Sequence, residues 1–526
     1  MWTYLRALAW LVAALFIITV TALAVMQKRG PAHSDLMLQG GIPATLYLPG
    51  PSAVGPANPF FVLFPKPAAE RPPAVVLVHG FMADRETMSS LARKIAQNGY
   101  GVLAIDVSGH GANRNPLPED FGSTSLRSDV KAAVDYMRTS DRVDGSRVAV
   151  IGHSMGAGAA LDYASNDPEL KAAVMISGGF NLGPVRPKNA LFIFAQHDPD
   201  FIQTISQAFA AHLAGVPQIA LGKIYGDFGH GNAVEAVQMP GLNHLSIITA
   251  NRPARTIVQW LDSSLGAARS GEITCFDPRV RLANIVSILL LILLIPIGRI
   301  AGSIAPGWPE RAAAGGWLDI AIVAGALVVA MAIVSNDPPA AFLSLVVGQN
   351  EISWLGAAGV ITIGVLALWK RLEWRWIRDG IGATLLAAAL AFLTIYACQN
   401  SYWVALHRLA FTPERSVAWI LASVLVLPFW LGFEFLVRRG GIVISTVFGV
   451  VGRAVIVLLL FAGAAVGVFS FVMFLIVPLI IGNFVMLEIF AASTYSTSRN
   501  LFLIALVETM LFTMPLAATY PITFMF

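Results

Sequence analysis

The stretch VAVIGHSMGAGAAL, residues 148–161, decides the fold. It opens with four apolar residues, breaks at Gly152-His153-Ser154-Met155-Gly156, and continues as a small-residue run suited to a helix. The pattern is G-x-S-x-G. A serine at its centre projects from a tight strand-to-helix turn, and small residues two before and two after let the backbones approach there. The five-residue pattern alone is common. Its context here, an apolar run before and "AGAALDYA" after, is the strand–turn–helix that the chemistry needs.

Working outward, similar short apolar runs recur at Ala74–Gly80, Gly101–Gly111, Ala172–Gly179 and Ala190–Asp198, each ending in Gly or polar residues. Amphipathic stretches such as Glu86–Asn98 and Ser125–Arg138 separate them. Strands alternating with helices predict βαβ units and a parallel sheet. A nucleophilic serine then needs a base and an acid, following it in the order acid, histidine. "FIFAQHDPD" ends a late predicted strand and offers Asp198, with Asp200 as second choice; "VQMPGLNHLS" offers His244 in a loop after another short strand. A neutral imidazole takes the hydroxyl proton, and a buried carboxylate orients the ring and favours its charged form.

These pieces, with "LVHGF" at 77–81, "DVSGHG" at 106–111, "HDPD" at 197–200 and "GLNHLS" at 241–246, resemble the α/β-hydrolase superfamily. The similarity is to the branch of dienelactone-hydrolase-like and prolyl-oligopeptidase-like serine hydrolases, over roughly residues 40–265. The resemblance implies catalytic Ser154, Asp198 and His244, an oxyanion hole from the backbone N–H groups of Phe81 and Met155, and neither metal nor organic cofactor. One departure stands out. Many relatives insert a helical cap where this chain has only the short Ser177–Lys188. The site is therefore open, covered by Asn113–Ser125, or roofed by the rest of the chain.

That remainder is of a different kind. The 526 residues are 56% hydrophobic and 13% charged, against about 25% charged in soluble domains. Ala7–Met26 is uncharged and long enough to cross a bilayer. An uncleaved signal anchor is preferred there over a cleaved signal peptide with a site at Ala22-Leu23-Ala24, because the run exceeds an ordinary signal core. After about Leu265 come Leu282–Ile297, Trp317–Val334, Ile352–Trp369, Ile381–Cys398, Val417–Val437, a run over Ile442–Ala492 that fits two crossings with a turn near Gly463 and Gly467, and Leu501–Tyr520. Ala340–Val347 is too short to cross and reads as interfacial. The expected organisation is an anchor over 1–29, an α/β-hydrolase domain over 30–270, and a bundle of about eight transmembrane helices over 271–526.

Basic residues cluster at Lys370–Arg378 and Arg438–Arg439, with Arg299, Arg311 and Arg499 on the same side of the counted crossings. The positive-inside rule makes that side cytoplasmic and the hydrolase-like region extracytoplasmic, in a bacterial inner or plasma membrane. The net charge of +4 and the short basic clusters give nucleic-acid binding little support. Cys275 and Cys398 fall on the outer side, where a disulfide between them is conceivable, although two unrelated cysteines is the plainer reading. His79, His110 and His153 flank Gly turns without ligand-spaced partners and read as turn residues or supports of the site rather than metal ligands; His197 and His230 read as loop histidines. In the membrane half, Arg453 and Glu508 lie at similar depth and are expected to pair, whereas Glu434 is one turn from Arg438 and is expected to reach the interface.

The resulting expectation is a membrane-bound serine hydrolase that cleaves an ester through an acyl-Ser154 intermediate. Its partners would be the bilayer and a small-molecule or lipid-like ester. Alternatives are an acyltransferase or peptidase with the same triad, or a transporter or scaffold bundle carrying a hydrolase-fold docking module.

Overall fold

The computed structural model describes residues 2–28, 30–49, 71–118, 126–179, 184–266, 271–310, 316–335, 338–369, 377–403 and 411–523. Part of the expected loop cover (119–125), part of the segment replacing a cap (180–183), Arg311 and most of the basic run (370–376) lie outside the described residues.

One eight-stranded sheet organises the first half. Its strands are β1 (Ala32–Leu38), β2 (Ile42–Leu48), β3 (Pro73–Val78), β4 (Gly101–Ile105), β5 (Asp144–His153), β6 (Ala172–Ile176), β7 (Ala190–Ala195) and β8 (Val234–Met239). They lie in the order β1-β2-β4-β3-β5-β6-β7-β8. The pairings β1–β2 and β2–β4 are antiparallel; every other pairing is parallel. The central strands are buried throughout, as expected of sheets covered on both faces. Helices α3 (Arg127–Thr139), α4 (Met155–Ala164) and α5 (Asp200–Ala214) share one apolar cluster with the sheet. Helices α2 (Ser89–Ala96) and α6 (Asn251–Leu265) share the cluster on the other face. This is the α/β-hydrolase fold.

The hairpin β1–β2 falls in a stretch that the sequence marks only as mixed. β1 is an edge strand whose residues mostly alternate between exposed and half-buried, so it carries no apolar run to recognise. Gly40 and Gly41, at φ +81° and +74°, make its turn, a conformation that side chains disfavour.

Among the described residues, nine helices are long and apolar enough to cross a membrane. They are α1 (Trp2–Lys28), α7 (Pro278–Ile304), α8 (Gly316–Val334), α9 (Gly348–Leu368), α10 (Ile381–Trp403), α11 (Pro413–Val437), α12 (Ile442–Ala465), α13 (Val477–Tyr495) and α14 (Leu501–Thr519). The expected break is present: α12 stops at Ala465, and Gly467 follows at φ +81°. Large apolar side chains such as Ile288, Val360, Val443 and Leu458 point outward. The interior holds the charge.

There the structure extends the expected pair. Arg453 contacts Glu508, and Glu434 and Arg438, both fully buried, join the same network. Arg438 bonds Glu434 at 2.8 Å and Glu488 at 2.6 Å, and Arg453 bonds Glu488 at 2.5 Å and Glu434 at 3.0 Å. Isolated charges are costly in hydrocarbon, so the helices turn these residues toward one another. The segment Ala340–Val347 contains one 3₁₀ turn, Ala341–Leu343, and its Leu345 bridges Ile522. Cys275 and Cys398 are free thiols.

The sheet unit rests on one end of the bundle. Phe201 at the start of α5 meets Phe471 edge-on at 5.3 Å. Arg114 pairs with Glu414, and Leu117 N–H donates to Ile522 O at 2.7 Å. Met82 packs against the apolar cluster of the bundle.

Candidate active site

Ser154 sits between β5 and α4 with φ 54° and ψ −119°. A residue other than glycine held there costs about 1–3 kcal/mol, and its surroundings must enforce it. They do so through close backbone contacts. A Cβ on Gly152 would lie 1.9 Å from Gly156 O, and one on Gly156 would lie 2.4 Å from His79 O. The Ser154 N–H donates to Ile176 O at 2.8 Å, tying the turn to β6. Gly80 faces it from the end of β3, where a Cβ would come within 3.0 Å of Ser154 Cβ. The turn thus permits only glycine at 152 and 156, is tightly packed at Gly80, and leaves the serine side chain partly exposed.

Asp198 follows β7 and is buried. Its Oδ2 accepts from Ala195 N–H at 2.7 Å and from Ser177 Oγ at 2.6 Å, and its Oδ1 lies 2.7 Å from His244 Nδ1. Burial favours the neutral acid, but the hydrogen bond and charge of His244, with the Ser177 and Ala195 donors, outweigh it; the net shift is below the usual carboxylate range. Asp198 is therefore an anion at neutral pH, fixing His244 with Nδ1–H toward it. Asp200 is exposed in the first turn of α5. Of the two acids, Asp198, the first choice from the sequence, is the one that contacts His244.

His244 is buried in the loop after β8. Its carbonyl lies 3.0 Å from Nε2 of His153, and the two rings are 4.8 Å apart. Since His153 immediately precedes Ser154, the structure brings Ser154, His244 and Asp198 to one rim of the sheet. Burial, then the proximity of His244, pushes His153 down to about 3, so it is neutral and donates to the His244 carbonyl. The sequence marks His153 as a turn or supporting residue without naming what it supports. Its support of His244 needed the fold, because 91 residues separate them.

Two further histidines near the turn are also structural. Val107 N–H donates to His79 Nε2 at 3.2 Å, which places the ring proton on Nδ1, 2.8 Å from Gly80 O. His110 is fully buried and held well below its ordinary value by burial and by His79. His197 is exposed, and exposed His230 pairs with Asp227 at 3.0 Å. Among the described residues, no three His, Cys, Asp or Glu side chains are grouped to hold a metal ion.

Met155 is the first residue of α4, so its N–H belongs to a helix N-terminus beside Ser154. Phe81 follows Gly80, which packs against Ser154. Helix-terminal and turn amides so disposed suit an oxygen that gains negative charge.

Part of the chain is similar to known serine hydrolases. A family profile described as serine aminopeptidase, S33, matches residues 69–210, a span that includes Ser154 and Asp198 but stops before His244. Cutinase est1 of Thermobifida alba is 36% identical over 110 residues, 20% of this chain and 34% of that protein. A bis(hydroxyethyl) terephthalate hydrolase of Streptomyces coelicolor is 34% identical over 108 residues, 20% of this chain and 32% of its own length. The chain thus spans about a third of the length of the curated relatives it matches. A lidless α/β serine hydrolase from Xanthomonas campestris superposes with a TM-score of 0.31 at 17% identity, covering 45% of this chain and 97% of that one.

Proposed function

We propose that the chain is a membrane-bound serine hydrolase acting on esters. The observation that carries this reading is the His244–Asp198 hydrogen bond of 2.7 Å beside a serine held at positive φ. Ser154 Oγ attacks the ester carbonyl while His244 Nε2 takes its proton. The Phe81 and Met155 amides stabilise the oxyanion, the alcohol leaves with the proton from His244, and an acyl-Ser154 remains. Water, deprotonated by His244, then releases the acid. Asp198 keeps the imidazole in the required tautomer and favours its cationic form. The cutinase and terephthalate-ester hydrolase relatives favour ester over amide substrates.

The nine apolar helices support an integral membrane protein with an anchor over 1–29, the hydrolase over 30–270 and the bundle over 271–526. Helix α11 runs from Arg415, which contacts the hydrolase, to Arg438 and Arg439 at its other end. With the basic residues at the far end, the hydrolase belongs outside the cytoplasm. Held against the bilayer, it is suited to lipid-like esters. The test is turnover of a p-nitrophenyl ester series by purified full-length protein. Rates should rise from acetyl to medium-chain acyl groups, vanish in Ser154→Ala and persist in Ser246→Ala. Turnover that survives Ser154→Ala would refute the reading, and a flat or falling chain-length profile would refute the lipid-like preference. Incorporation of ¹⁸O from labelled water into the acid distinguishes hydrolysis from acyl transfer.

A further inference from the structure

Arg415, in the first turn of α11, is buried although it belongs to an apolar helix. Four backbone carbonyls accept from its guanidinium: Gly111 O at 3.2 Å, Gly109 O at 2.8 Å, Ala517 O at 2.8 Å and Tyr520 O at 2.8 Å. Two belong to the loop after β4, and two to the end of α14. A buried guanidinium is costly to desolvate. Here its rigid fork of donors joins three chain segments at once, which a lysine cannot reproduce.

The loop it grips leads to the site. Gly109 and Gly111 flank His110, whose ring meets Phe81 edge-on at 5.8 Å and His79 at 5.1 Å. His79 in turn links Val107 N–H to the Gly80 carbonyl, one residue before Phe81. At the other end of the same turn, Asp106 accepts from Arg85 N–H at 2.8 Å, from the Arg85 guanidinium and from Ala112 N–H at 2.9 Å. Met82, at φ 58°, touches the bundle's apolar cluster directly. The Gly109 carbonyl also accepts from Ile522 N–H at 3.0 Å. The Phe81 turn is thus wedged between the sheet and the bundle, with Arg415 behind the wedge.

We infer that Arg415 is a positioning residue for the hydrolase: through the Gly109–Gly111 loop and His110 it sets the Phe81 amide at the oxyanion position, so the membrane bundle is part of the working site. This rests on the hydrolase reading above. Displacing the amide weakens charge stabilisation in the transition state while leaving ground-state binding alone. Losing an oxyanion donor outright costs about 10²–10³ in kcat, and displacing one should cost about tenfold.

The test uses full-length Arg415→Met, Arg415→Lys and Gly109→Ala in detergent. A Cβ on Gly109, at φ +77°, would sit 2.6 Å from Leu117 Cβ and 3.0 Å from Ile522 O, so this variant disturbs the loop from the hydrolase side. Turnover of a soluble p-nitrophenyl ester is expressed per serine labelled to completion by a fluorophosphonate, so misfolded chains do not count. The expected result is kcat per labelled site lower by about tenfold with KM within twofold. Wild-type kcat per labelled site, even where fewer chains fold, would reduce Arg415 to a folding determinant and overturn the inference. A wild-type enzyme without Ser154-dependent turnover would instead sink the hydrolase reading, a distinct outcome.

Discussion

At the scale of single residues, two carboxylates two positions apart have unequal surroundings. Asp198 is buried with three donors around it, while Asp200 is exposed on a helix start. Asp198→Asn should lower kcat by about 10³–10⁴, because the amide no longer favours the productive tautomer and charge of His244. Asp200→Asn should stay within about threefold of wild type. Equal losses in steady-state turnover would reject the assignment. His153 makes a second prediction. Its folded value of about 3 lies below the unfolded 6.5, so the unfolded chain binds the extra proton between those limits. Stability is therefore full above pH 6.5 and falls as pH drops toward 3, by up to about 1.4 kcal/mol per pH unit. Asp198, with its depressed value, adds a further loss below about pH 4. Thermal unfolding across pH 4–7 should show a shallower slope in His153→Asn; an unchanged slope would contradict the burial argument.

At the scale of elements, the strand–turn–helix around Ser154 is a steric device. Gly152→Ala would place a methyl 1.9 Å from Gly156 O, where neither backbone can yield without moving Ser154. This variant should lose labelling and unfold at a lower temperature, as read by a thermal scan of the purified protein. This element was legible in the sequence because only glycine tolerates such approaches, so residue identity reports backbone geometry directly. The order Ser154, Asp198, His244 was legible for a related reason: the first two follow apolar runs that form buried strands, and the third follows a shorter, half-buried one. The β1–β2 hairpin was not, since an edge strand with exposed His33 and Asp35 lacks such a run. Nor was Arg415, which opens its helix as many unremarked arginines do. Its acceptors are backbone carbonyls from segments some 100 and 300 positions away, and carbonyls leave no mark in residue type.

At the scale of the whole molecule, hydropathy located the apolar helices well but not the faces they turn to one another. Depth along a helix predicted that Arg453 would meet Glu508; that Glu434, Arg438 and Glu488 join them depends on rotation about each axis, which length and composition do not encode. Charge asymmetry across the bundle leads to one further outcome. Lys131→Cys, on an exposed helix face of the hydrolase, should react with a membrane-impermeant thiol reagent in intact cells. Labelling only after lysis would put the hydrolase in the cytoplasm.

The central claim is that Ser154 is an activated nucleophile, and covalent mapping tests it most directly. Purified full-length protein is treated with a fluorophosphonate and its peptides are read by mass spectrometry. The account predicts one adduct, on the peptide bearing Ser154, slowed severely by His244→Ala and absent in Ser154→Ala. An adduct on another serine, or none on folded protein, would contradict it.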